Sequence, residues 1–207
     1  MSEKQSVRIV LPDSGPLISM ASGGVLDLLM AFKDSVRIVI TDVVEYEATH
    51  RSSDLPNAQQ IKDFLLVNQE RIEVIRTTVG SLALGDLKRK QSLGEPAQLP
   101  GDLGELSITN FVISLRTANP GVPTLVILED DWFVENAYAI PGNVHLVSTS
   151  SWLDGLEALH VIDSAAEVRR RIQFARPNFR AEYKLDKEAE KIQDGSTWRA
   201  AIRPGRR

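Results

Sequence analysis

Residues 124–133, TLVILEDDWF, decide how this chain folds. No charged side chain interrupts Thr124 to Leu128, as in a strand buried on both faces at the centre of a parallel sheet. Glu129, Asp130 and Asp131 then follow where the chain leaves the sheet, ahead of Trp132 and Phe133. Upstream, Asp102 to about Arg116 carries a mostly helical period through Leu103, Leu106, Val112, Ile113 and Leu115, stopped by Asn119-Pro120-Gly121. Downstream, Asn143 to Val147 reads as another strand, and Ser150 or Ser151 as the cap of a helix through Leu153, Leu156 and Leu159. Nearer the N-terminus, Val7 to Leu11 is a strand ended by Pro12, and Ser14-Gly15-Pro16 opens a helical pattern reaching Leu29. Val36 to Ile40 is a further strand, with Thr41 capping a short helix, while Pro56 to Asn68 reads as helix and Ile72 to Ile75 as strand. Residues 85–101, rich in Gly, Pro and charge, read as a loop or partly ordered insertion. The β-α alternation predicts an α/β fold, a mainly parallel central sheet with helices on both faces.

The chain has 207 residues, 43% of them hydrophobic, enough for one sizeable core. It contains no cysteine, which excludes disulfides and thiolate-held metal and permits a reducing compartment; the expected location is cytoplasmic. No apolar run approaches a membrane span, and the N-terminal one is too short for a signal peptide. The net charge of -4 is unevenly spread: residues 1–163 hold 12 Lys+Arg against 22 Asp+Glu, and residues 164–207 hold 12 against 6. We therefore expect a body over 1–163 and a basic, mostly helical extension over 164–207, interrupted near Pro177 and frayed at its end. Such an extension suits an acidic partner or a nucleic acid, and equally a solvated helical face.

Acids recur at the β-to-α junctions: Asp13 after the first strand, Glu45 and Glu47 after the second, Asp102 and Glu105 at a helix start, and the 129–131 trio. Taken singly they are helix caps or dipole partners. Together they lie on the rim where open parallel sheets bind ligands. An all-oxygen set with no histidine or thiolate suits Mg²⁺ or Mn²⁺, whose matching chemistry is hydrolysis of a nucleic-acid backbone. His50, His145 and His160 have no metal-ligand spacing. Ser14 lacks the Gly-x-Ser-x-Gly setting of a hydrolase nucleophile, and no Gly-rich phosphate loop is present.

Four segments resemble the PIN-domain ribonucleases, among them the VapC-like toxins of toxin-antitoxin pairs. DSGPLISMASGGVLDLL (13–29) is similar to the family's opening motif and TDVVEYEA (41–48) to its second; GDLGELSI (101–108) matches its D-x-G-E motif and LVILEDDWF (125–133) its closing one. The resemblance, over about residues 7–160, implies a PIN-like three-layer fold in which Asp13, Glu47, Glu105 and Asp130 are catalytic metal ligands, with Asp102 and Asp131 supporting. It favours Glu47 over Glu45 and, through Phe133, Asp130 over Asp131. It implies a Mg²⁺- or Mn²⁺-dependent ribonuclease using a metal-activated water, with RNA as substrate, a cognate antitoxin as partner and room for a homodimer. The hydroxyl residue usual in the closing motif is absent, with Glu129 or Leu128 in its place. A PIN-like scaffold without turnover is therefore the alternative, and an Asp-nucleophile phosphatase or phospho-receiver ranks below both. Lys88 to Lys90 or the tail arginines are the expected phosphate contacts.

Overall fold

The computed structural model describes residues 6–51, 53–136, 139–179 and 196–205. Five strands, β1 (Ile9–Pro12), β2 (Arg37–Thr41), β3 (Ile72–Ile75), β4 (Thr124–Leu128) and β5 (Val144–Ser148), form one sheet in the order β3-β2-β1-β4-β5. Every pairing is parallel. The order reverses direction between β1 and β4, so the crevice beyond their C-terminal ends is the topological switch point. The two strands stay tied past that point, since the Asp13 N–H donates to the Ile127 carbonyl at 2.9 Å. All five residues of β4 are buried, as its unbroken apolar run requires of a central strand.

Helices flank the sheet: α1 (Ser14–Ser22), α2 (Asp42–Thr49), α3 (Pro56–Val67), α4 (Thr78–Ser92), α5 (Leu103–Ala118), α6 (Trp132–Glu135), α7 (Thr149–Ala158), α8 (Ala165–Ala175) and α9 (Ser196–Arg199), with a 3₁₀ turn over Leu26–Ala31. This is the α/β architecture that the sequence predicts. Hydroxyl caps set several helix starts. Thr41 Oγ1 accepts from the Val44 N–H at 3.4 Å, and Ser148 Oγ from the Ser151 N–H at 3.0 Å. The cap of α7 is thus Ser148, not Ser150 or Ser151: β5 runs into its helix with no intervening loop. The largest core pair is Phe32 stacked on Trp152, with ring centroids 6.2 Å apart.

Residues 85–92 are helix rather than loop. Thr77 caps α4 by accepting from the Gly80 N–H, and Asp86 pairs with Arg89 and Lys90 one turn on. Only Gly80 and Leu87 of α4 are buried, so this solvated helix has the composition of a loop. The C-terminal extension also differs from expectation. Val168 and Ile172 of α8 are buried against the body, and so are Trp198, Ala201 and Ile202. The Trp198 ring lies against Gly155, where a Cβ would come within 2.1 Å of it. Backbone bonds of 2.9 Å from Lys33 N–H to Ala201 O and from Arg203 N–H to Ala31 O fasten residues expected to fray. Residues 180–195 of the expected helical extension lie outside the described residues. No helix among the described residues is long and apolar enough to cross a membrane.

Candidate metal centre

Four chain segments meet at the switch point. Asp13 leaves β1 at the start of α1, Glu47 sits on α2, Glu105 in the first turn of α5, and Asp130 just beyond β4. One carboxylate oxygen each from Asp13, Glu105 and Asp130 lies within 4.8 Å of the others. These three and Glu47 line a cleft of about 250 Å³, together with Ser14, Gly15, Gly101, Glu129, Arg176, Asn178 and Phe179.

Burial and mutual repulsion set the electrostatics. Asp13 is 3% exposed and its Oδ1 has no hydrogen-bond partner among the described residues. Loss of hydration pushes its carboxyl up to about 8; the Ser14 N–H opposes this, and the charges of Asp130, Glu47 and Glu129 add to it. Burial also raises Glu105, helped by a hydrogen bond to the Asp130 carboxylate and by the charge of Asp13. Burial raises Glu47 too, while the nearby Ser14 hydroxyl and Gly104 N–H pull it back. Glycine leaves room for that approach, because a Cβ on Gly104 would stand 2.7 Å from Glu47 Oε2 and push the carboxylate aside. The donors are all carboxylate oxygens, a buried one lacks a partner, and the charges repel. This set fits a hard divalent cation.

The remaining acids fall outside the triad. Asp102 is exposed at the head of α5, and neither it nor Glu45 lines the cleft. Asp131 stands at the head of α6, its carbonyl accepting from the Glu135 N–H, and is absent from the cleft lining. Asp130 instead turns inward, with Oδ1 accepting from the Trp132 N–H at 2.9 Å. Lys88, Arg89 and Lys90, expected near phosphates, lie along α4 away from the cleft. Phe133 is fully buried with Trp132 edge-on to it, His50 stacks on Tyr46, and Asp42 is a structural acid that accepts from Thr77 Oγ1 at 2.9 Å.

Sequence reasoning missed a second arrangement. Glu129 is raised by burial yet well satisfied: Thr149 Oγ1 donates to Oε1 and Ser19 Oγ to Oε2, each at 2.8 Å, and Arg176 Nη1 lies 3.2 Å from Oε2. The available signal was the acid standing where the closing motif has a hydroxyl. Nothing in the sequence pointed to its partners.

No family model matches this sequence, and no curated protein does. Among solved structures the chain is similar to VapBC2 from Rickettsia felis bound to a DNA fragment from their promoter, at 15% identity over 68% of this chain and 98% of that one, with a TM-score of 0.41.

Proposed function

We propose that the chain is a Mg²⁺- or Mn²⁺-dependent ribonuclease of the PIN-like kind and the toxin of a toxin-antitoxin pair. The observation that carries the nuclease reading is the convergence of Asp13, Glu105 and Asp130 at the switch point, with Asp13 Oδ1 buried and unpartnered. In this reading those three carboxylates hold the ion, and Glu47, kept at the cleft by Ser14 and Gly104, takes up the proton released from water. When bound, the ion supplies a Lewis acid for the phosphate and lowers the pKa of a water toward neutrality. Buried acids that retain protons at neutral pH release them as a cation enters, so binding is proton-linked. Glu129 does not compete as a ligand, because Ser19, Thr149 and Arg176 occupy its oxygens. The toxin assignment rests on the order of the four motifs. The catalytic body would span 1–163, with 164–207 an extension that lends Arg176 to the cleft.

The test is RNA cleavage by purified protein with Mn²⁺ or Mg²⁺ against a chelator, alongside Asp13→Asn and Glu105→Gln. Metal-dependent cleavage lost in both variants is expected. Equal cleavage by all three proteins would refute the assignment, and metal binding without any cleavage would favour the scaffold alternative.

A further inference from the structure

The cleft is lined by five carboxylates, those of Asp13, Glu47, Glu105, Glu129 and Asp130, and among the described lining residues by a single cation, Arg176. Arg176 follows the last residue of α8, where Pro177 stops the helix and buried Phe179 fixes the turn by donating its N–H to the Arg176 carbonyl at 2.9 Å. Its side chain is anchored through one nitrogen. Nη1 donates to the Gly15 carbonyl at 3.0 Å, to Ser19 Oγ, and to Glu129 Oε2 at 3.2 Å. Nε and Nη2 have no partner among the described residues, and the side chain remains 32% exposed.

A counterion role for Glu129 does not account for this arrangement. Ser19 and Thr149 already give each Glu129 oxygen a hydroxyl donor. Bringing Arg176 to a largely buried carboxylate adds the desolvation of a second charge, which stability alone seldom repays. A polyanion entering a ring of carboxylates, however, needs positive charge beside any bound ion. A guanidinium fixed at one corner, with its other N–H groups free, is shaped for phosphate oxygens.

We propose that Arg176 is a substrate-binding residue that holds a backbone phosphate of the RNA, and that the Glu129–Ser19–Thr149 cluster is its mount. This rests on the ribonuclease reading for the substrate class, but its test is separate. Affinity for a short fluorescein-labelled single-stranded RNA is read by anisotropy in EDTA, which stops metal-dependent cleavage, while cleavage by the unaltered protein is read with Mn²⁺. Arg176→Ala is expected to weaken RNA binding about 10- to 100-fold, the range for a charge-assisted hydrogen-bonded contact. The slope of log affinity against log salt should flatten by about 0.7, as for one phosphate lost on a single strand. Arg176→Lys recovers part of the affinity, as a point charge without the fork. Further adding Glu129→Gln to Arg176→Ala removes the orphaned buried charge and restores the melting temperature, but leaves RNA binding weak. Unchanged RNA affinity in Arg176→Ala, or affinity restored by Glu129→Gln, overturns the proposal. Absent cleavage by wild type sinks the ribonuclease reading alone, because the binding comparison still decides the role of Arg176.

Discussion

Replacing Asp13 by asparagine should stabilise the metal-free protein at neutral pH, the opposite of what a substitution at a buried, structurally important residue usually does. Asp13 is 3% exposed, and its folded-state carboxyl is pushed from 3.8 to about 8. A raised acid contributes stability that is fully present below about pH 4 and is lost progressively as pH climbs toward 8. At 1.36 kcal/mol per pH unit between 3.8 and 7, keeping this carboxyl protonated while the unfolded chain ionises it opposes folding by ~4 kcal/mol at pH 7. Asparagine keeps the shape and removes the charge, but brings an amide NH₂ that also lacks a partner, at a cost of about 1–3 kcal/mol. The net gain should be about 2 kcal/mol at pH 7, cross zero near pH ~5.5 and reverse by pH ~4, where only the amide cost is left. Urea denaturation in EDTA at several pH values measures it, and adding Mn²⁺ should then stabilise wild type but not the variant. An Asp13→Asn variant less stable than wild type at pH 7 in EDTA, or a gap that does not narrow toward pH 4, would refute the claim that the acids repel and await a cation.

Gly104→Ala places a Cβ 2.7 Å from Glu47 Oε2 and should displace that carboxylate, lowering cleavage rate with little change in a denaturation curve, since only the flexible end of Glu47 has to move. Gly80→Ala, whose Cβ would meet Asp42 Oδ1 at 2.1 Å, should cost about 1–3 kcal/mol of stability yet leave Mn²⁺ affinity unchanged by calorimetry. Asp130→Asn should abolish Mn²⁺ binding, whereas Asp131→Asn and Asp102→Asn should leave it within about twofold; loss on all three would contradict the triad. Apparent Mn²⁺ affinity should rise roughly tenfold per pH unit for each proton displaced and level off only above about pH 9, once Glu105 as well as Asp13 is ionised.

What the sequence revealed follows from what burial demands. A strand covered on both faces must be apolar throughout, so β4 was legible, and an acid at its end could only sit on the rim. Helix α4 was not legible, since a helix burying only Gly80 and Leu87 needs no apolar stripe. Nor was the return of the C-terminus: its anchors Trp198, Ala201 and Ile202 are few, and their seat depends on Gly155 about forty residues earlier. Arg176 was equally hidden, because it meets Glu129 across 47 residues and Gly15 across 161, distances at which no periodicity operates.

The trio at 129–131 shows why adjacent identical charges need not share a task. Residues 129–131 bend between the end of β4 and the start of α6, so strand alternation no longer fixes their directions and three successive acids part company. Glu129 therefore lies among Ser19, Thr149 and Arg176, Asp130 meets Glu105 beside Asp13, and Asp131 starts the next helix. A one-residue shift in this exit would put the well-satisfied acid in the triad and Asp130 among the hydroxyls. Asp130 Oδ1 accepting from the Trp132 N–H opposes that shift, and the complete burial of Phe133 holds the turn from the other side. The aromatic residue that ends TLVILEDDWF thus sets the register of the acids before it, which makes Phe133 a determinant of the acidic cluster without belonging to it.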